Sequence, residues 1–191
     1  MPLASSGDGP RRSAPQRVTP GRCSMTSIPA NARTRPLVLF TLDGQRYALA
    51  LDGVERALRV VAITPLPAAP AIVLGIIDLA GVVMPVIDLR RRFGLPPRAV
   101  RLSDHLIVAT AGNRTVALLV DETIGTIEPS AESYAPARTI LPRMDLMDGA
   151  MKLEDGIVLI HDLARLLSLE EAASIDRALS DQRRSGDAGN R

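Results

Sequence analysis

From Leu37 onward the chain breaks into short apolar runs, each closed by turn residues, and this rhythm predicts β-structure. Leu37–Leu42 and residues 45–51 flank Asp43 and Gly44, a pair that accepts the two positive φ values of a type I′ hairpin turn. Asp52, with Glu55 three residues later, has capping-box chemistry and predicts a short helix over residues 53–59. Residues 60–66 read as a further strand, ended by Pro65, Pro67 and Pro70, which lack the ladder donor. Residues 75–79 and 82–87 flank Ala80 and Gly81 as a second hairpin. Its strands are apolar nearly throughout, so they require cover on both faces. Asp88 is placed to cap a short helix through Arg92, which Gly94, Pro96 and Pro97 stop.

The second half repeats the plan. His105–Ala111 and residues 115–120 flank Gly112 and Asn113, and Asp121 follows at a turn or cap. After an irregular stretch over residues 129–142, residues 146–153 and 157–161 flank the turn at Glu154, Asp155 and Gly156. Ser168 and Glu171 form another capping box, opening a helix whose Ala172, Ile175 and Leu179 share one face. Ala48, Leu49 and Asp52 recur as Ala117, Leu118 and Asp121, and Gly75 leads to Asp88 and Leu89 with the spacing by which Gly149 leads to Asp162 and Leu163. Short strands in two copies predict a mainly β protein of two small barrels side by side, because closing a sheet removes its exposed edges. The expected organisation is a disordered leader over residues 1–36, a folded body over 37–180 and a disordered tail over 181–191.

Composition narrows the class. The 191 residues are 46% hydrophobic and 23% charged, enough for a core that needs no staple. The single cysteine, Cys23, sits in the leader, which suits a reducing cytoplasm. Residues 1–36 hold six arginines and one aspartate, a local +5, so the rest of the +2 chain carries −3. An acidic body with two Phe, two Tyr and no Trp lacks the positive surface and stacking platforms of a nucleic-acid binder. Residues 72–89 are interrupted by Gly75, Asp78, Gly81, Pro85 and Asp88, so they are no membrane span. The leader has no apolar core of a secretory signal; a transit peptide or a basic anchor fits its arginines less well than plain disorder, with Met25 as an alternative start.

Candidate chemistry is sparse. His105 and His161, each at a strand end, are expected to be packed polar residues, and no zinc spacing or glycine-rich phosphate loop is present, so neither a metal nor another cofactor is expected. Asp52, Asp88, Asp121 and Asp162 each follow an apolar strand, and capping of the next segment explains all four. An enzyme reading would have Asp88 and Asp121 serve a small metal-dependent hydrolase; a second alternative is an SH3-like nucleic-acid binder recruited through the basic leader. Arg90, Arg91 and Arg92 read as a solvated face, and Met144, Met147 and Met151 as core filling.

Taken in order, the motifs resemble a known family. Residues 75–93, with Asp78, Leu79, Ala80 and Gly81 at the turn and Pro85, Val86, Ile87, Asp88, Leu89 and Arg90 after it, resemble the signature of CheW-like domains. Residues 40–47, Val54 with Glu55, residues 117–121 and residues 157–160 follow in the family's order, so the resemblance covers roughly residues 37–180. It implies two five-stranded SH3-like barrels and a non-enzymatic adaptor, cytoplasmic and recruited to membrane-associated receptor arrays. The implied partners are a chemoreceptor's cytoplasmic tip and the regulatory domain of a CheA-type histidine kinase. By motif position, receptor contacts are expected at Val54, Gly75, Ala80, Thr123 and Thr126, and kinase contacts at Arg56 and Ile63. Two departures stand out: Ala80 replaces the family's turn arginine, and Arg56 stands where an acidic residue is common. They leave the fold expectation intact and point to a specialised or alternative chemosensory pathway.

Overall fold

The computed structural model describes residues 35–111, 114–130, 133–137, 146–166 and 169–188. The expectations for Cys23, Met25, Met144, the turn at Gly112 and Asn113, the Ser168 cap and the leader short of Arg35 lie outside those residues. The strands are β1 (Leu37–Leu42), β2 (Gln45–Ala50), β3 (Val54–Arg59), β4 (Val73–Leu79), β5 (Val82–Asp88), β6 (His105–Ala111), β7 (Arg114–Val120), β8 (Glu122–Ile127), β9 (Tyr134–Pro136), β10 (Met147–Leu153) and β11 (Gly156–His161). Among the described residues the helices are α1 (Leu89–Arg92), α2 (Leu169–Ala188) and single 3₁₀ turns at Leu51–Gly53 and Leu163–Arg165.

Two sheets result, ordered β8-β1-β2-β11-β10-β9 and β3-β6-β7-β5-β4. The molecule is mainly β with two barrel-like subdomains, one carrying the three-residue β9 as a sixth strand. Its counterpart in the five-stranded sheet is a single bridge, Thr64 to Ile76, with mutual amide-to-carbonyl bonds of 2.9 and 2.8 Å.

The sequence repeats do not each build one barrel. The first repeat sends β3, β4 and β5 to the sheet of the second repeat's β6 and β7, while β8, β10 and β11 return to β1 and β2. Registers match on both sides. Parallel pairing sets Ile160 beside Ala48 and His161 beside Leu49; in the other barrel it sets Val86 beside Ala117 and Ile87 beside Leu118. The bulge between Val54 and Arg56 opposite β6 recurs between Leu39 and Phe40 opposite β8. A pseudo-two-fold relation therefore links the barrels, each completed by strands of the other repeat.

Strand alternation supplies three apolar layers. Leu37, Leu39, Ala48, Met151, Val158 and Ile160 fill one barrel, and Ile77, Met84, Val86, Leu106, Val108, Ala117 and Leu119 the other. The opposite faces of the same strands bury Val38, Phe40, Leu42 and Leu49 against Ile87, Ile107 and Leu118 between the barrels. Bulk is complementary there: Phe40 and Tyr47 in one barrel correspond to Ala109 and Val116 in the other. Ile175 of α2 is fully buried in this layer and Leu179 packs beside it, as their common face predicts.

Four expectations need correction. Residues 53–59 form a 3₁₀ end and β3 rather than a helix, because the ladder to β6 supplies their amide partners. Residues 60–66 contribute the Thr64 bridge and no strand, because the nearby prolines interrupt the ladder earlier than the sequence reading allowed. The five-plus-five strand count becomes six plus five. Helix α2 continues to Ala188, past the boundary set at 180. The first two hairpins turn as expected, with positive φ at Asp43 and Gly44 and at Ala80 and Gly81.

Gly75 marks the tightest approach. A Cβ there would lie 2.1 Å from the Thr64 carbonyl oxygen, and its counterpart Gly149 has the Ala135 oxygen 2.7 Å from the same position. Gly75→Ala is expected to lower unfolding free energy by about 3 kcal/mol through this clash. At Gly81 the space is open and only its positive φ is strained, so Gly81→Ala should cost about 1 kcal/mol. Urea titrations of the two variants make the comparison.

Candidate functional site

Two polar features interrupt the apolar layer between the barrels, one closed and one open. The closed one is an ionic knot. Asp121, at the junction of β7 and β8, accepts from the Asp43 amide at 2.8 Å, from Arg90 at 2.8 and 3.1 Å and from Arg98 at 2.5 Å. Arg90 also reaches the Asp43 carboxylate at 2.6 Å and the Pro96 carbonyl, while Arg98 forks onto both oxygens of Asp104 at 2.8 Å. Five residues from four segments are thereby tied together. Burial acts to raise the Asp121 pKa, yet the Asp43 amide and the two guanidinium groups outweigh it and hold the carboxyl below its ordinary value. Arg98 is pushed further into its charged form, first by its hydrogen bonds to Asp104.

The knot revises two sequence readings. The arginine run is a solvated face only at Arg91, which is exposed while bonding the Ala71 carbonyl and pairing with Asp88; Arg90 is buried and Arg92 pairs with Glu171 of α2. Nor do all four aspartates cap. Asp88 accepts from the Arg90 and Arg91 amides and Asp162 from the Ala164 amide, as expected, but Asp121 serves the knot and Asp52 forms an ion pair with Arg35. The partners of Arg90 lie 31 and 47 residues away, which local pattern cannot reveal.

The open feature is a groove of about 640 Å³ on the other side of the pseudo-two-fold. Leu37, Ala50, Ile160, Leu163 and Ala164 supply its apolar lining, and Arg35, Asp52, Asp148 and Asp162 its charges. Beside it, Phe40, Tyr47, Phe93 and His161 stack in a column, with His161 4.3 Å from Phe93. His161 Nδ1 faces the Leu146 carbonyl at 3.0 Å, so that nitrogen carries the proton, and the buried Nε2 finds no hydrogen-bond partner among the described residues. Burial lowers its pKa from 6.5 to about 4, against the opposing Leu146 contact. The ring is a neutral packing element at neutral pH. His105 likewise serves structure, accepting from the Thr123 amide at 2.9 Å.

The seven residues named by motif position fall on separate elements. Val54 opens β3 half-buried against the shared core, and Arg56 is exposed two residues on. Thr123 and Thr126 lie on β8, at the edge of the other sheet; by register Thr123 is the counterpart of Val54. Ala80 is exposed at the tip of the β4–β5 hairpin, whereas Gly75 is buried against the Thr64 backbone. Ile63 packs partly into the interior of its barrel. None of the seven lines the groove, although Gly53, next to Val54, does. What sequence reasoning missed there is the facing of residues 50–53 and 160–164 across the barrel junction, visible only once the strand exchange is known.

Among the described residues no three His, Cys, Asp or Glu side chains are grouped to hold a metal ion, and no helix is long and apolar enough to cross a membrane. Asp88 is taken up by the Arg90 and Arg91 amides and Asp121 by the Arg90 and Arg98 guanidinium groups.

Comparison with known proteins decides the class. A family model described as the CheW-like domain matches residues 36–171. The chain belongs to the CheW-like domain family. It is 25% identical to the chemotaxis protein CheW of Klebsiella aerogenes over 158 residues, covering 82% of this chain and 95% of that one. With the chemotaxis protein CheW of Bacillus subtilis it shares 28% over 140 residues, 72% and 90% of the two chains. The solved scaffolding protein TtCheW from Thermoanaerobacter tengcongensis superposes with a TM-score of 0.65 at 27% identity, covering 72% of this chain and 95% of that one. The family is one of non-catalytic chemotaxis scaffolds, and the closed, arginine-tied interior suits that role.

Two measurements test this interior. For His161 the folded pKa is depressed, so its stabilisation is complete above pH 6.5 and is lost as pH falls toward about 4. Unfolding free energy should drop by about 3 kcal/mol over that window, and His161→Phe, which keeps the stack, should flatten the slope. In the knot, Arg90→Met is expected to cost about 3 kcal/mol by leaving Asp121 and Asp43 facing an apolar side chain. Adding Asp121→Asn should cost less than the sum of the two single changes, read in a double-mutant cycle.

Proposed function

We propose that this chain couples chemoreceptors to a CheA-type histidine kinase in a chemosensory pathway, working at the cytoplasmic face of the membrane within receptor arrays. The observation that carries this reading is the family match over residues 36–171 on a molecule where, among the described residues, the exposed large apolar side chains other than Ile157 of β11 lie near residues implied by motif position. Ile124, 52% exposed, lies between Thr123 and Thr126 on β8, and Val82 and Val83 follow Ala80 on the β4–β5 hairpin. On the kinase side, Val61 stands between Arg56 and Ile63. Val100 and Leu102, the latter 90% exposed, belong to the segment whose Asp104 carbonyl accepts from the Val60 amide. Apolar side chains held in water at such positions favour protein contacts over chemistry. Receptor contact at Val54, Ala80, Thr123 and Thr126, with Gly75 setting the strand path, and kinase contact at Arg56 and Ile63 follow as parts of this proposal.

Binding to a chemoreceptor cytoplasmic fragment and to a kinase regulatory domain, measured by calorimetry, tests it. Ile124→Asp should weaken receptor binding about tenfold and Leu102→Asp kinase binding about tenfold. Each should leave Tm within about 3 °C, because both side chains stand outside the core. Absence of binding to either partner at tens of micromolar removes the assignment. Val54 is the poorer probe, since its packing on the shared core mixes binding with stability.

A further inference from the structure

The pseudo-two-fold compares the two polar features residue by residue. Register places Asp52 at the position of Asp121, Arg35 at that of Asp104, and Asp162, Leu163 and Ala164 at those of Asp88, Leu89 and Arg90. In the closed feature Asp121 receives two guanidinium groups, those of Arg90 and Arg98. In the open one, position 90 is occupied by Ala164, and the described residues bring one guanidinium to Asp52, that of Arg35 at 2.6 Å. Burial separates the two pairs. Arg90 and Asp121 expose 8% and 23% of their side chains; Arg35 and Asp52 expose 46% and 56%. An ion pair that open to water is weak, so a competing cation exchanges with it readily.

We infer that the groove at Asp52 is a guanidinium socket, left open by the alanine at position 164 and filled when a docking protein inserts an arginine. This deepens the docking reading given above and rests on it for the occupant, though not for the socket. Charge selects the ligand: among the described lining residues Asp52, Asp148 and Asp162 stand against Arg35, with Asp162 also pairing with Arg165 at 3.1 Å, and they surround the apolar floor of Leu37, Ile160 and Leu163. The chemistry favours arginine over lysine. In the closed feature the planar Arg98 fork makes two bonds to the two oxygens of a single carboxylate, Asp104, and a point charge on an ammonium cannot reproduce that geometry. The occupant is therefore a segment presenting an arginine beside small apolar side chains, and Arg35 is the group it displaces.

The socket is tested first without any partner. Ala164→Arg rebuilds at Asp52 what Arg90 makes at Asp121, and should raise the Tm of the full chain by about 3 °C. The gain should vanish in an Asp52→Asn background. Equal effects of Ala164→Arg with and without Asp52→Asn would overturn the socket. The occupant is tested by calorimetry with a chemoreceptor cytoplasmic fragment. Asp52→Asn and Ala164→Arg should each weaken binding about tenfold, and Arg35→Ala should strengthen it about threefold by removing the competitor. Coupling between positions 52 and 164 with unchanged fragment affinity would overturn the docked arginine while leaving the adaptor reading standing. Failure of the unaltered chain to bind the fragment would overturn the adaptor reading, and with it the occupant. Loss of binding in Arg35→Ala would overturn the exchange.

Discussion

The apolar layer between the barrels is the constraint on which the rest of the molecule depends. Strands β1, β2, β6 and β7 each have one face inside a barrel and the other against the partner barrel, so neither barrel can be separated without wetting Phe40, Leu49, Ile107 and Leu118. Burying each such side chain contributes about 1.5–3 kcal/mol. The exchange of strands between the repeats strengthens the bond, because each sheet combines strands of both. Rigid relative placement of the two barrels follows.

Polar chemistry at the edge of this layer is arranged asymmetrically on a symmetric frame. One side carries the knot of Arg90, Arg98, Asp43, Asp104 and Asp121, which holds charges out of water only because nearly every lone pair and proton is matched. On the other side Ala164 takes the place of Arg90, and the groove stays open with Asp52 at its wall. Duplication thus supplied two equivalent positions, and differences in side chain, Ala164 for Arg90 and Arg35 for Asp104 among them, made one a fastening and the other a cleft.

The hairpins at Asp43–Gly44 and Ala80–Gly81, the cap at Asp88 and the buried face of α2 were legible because each depends on neighbours within a few residues. Residues 53–59 misled for the same reason. Asp52 and Glu55 carry a local helix signal, but β6 offers a ladder to the same amides, and a long-range partner outweighs a capping preference of about 1 kcal/mol. The arginine run misled in the opposite direction. Three adjacent charges look like a wet surface until Asp121 and Asp43 are brought to Arg90 from 31 and 47 residues away.

By itself the sequence determined the strands of the four hairpins, the tight turns, the two-copy organisation and the family, since these are written in alternation, in turn residues and in motif order, while β3, β8 and β9 were not legible there. Tertiary structure alone decided which strands share a barrel, which aspartate receives which arginine, and that a groove lies between residues 50–53 and 160–164. The physical reason is distance along the chain. Pairing within a hairpin is dictated by a two-residue turn, whereas pairing between repeats is settled by which large and small side chains fit across the layer, and that fit exists only when all the strands are in place.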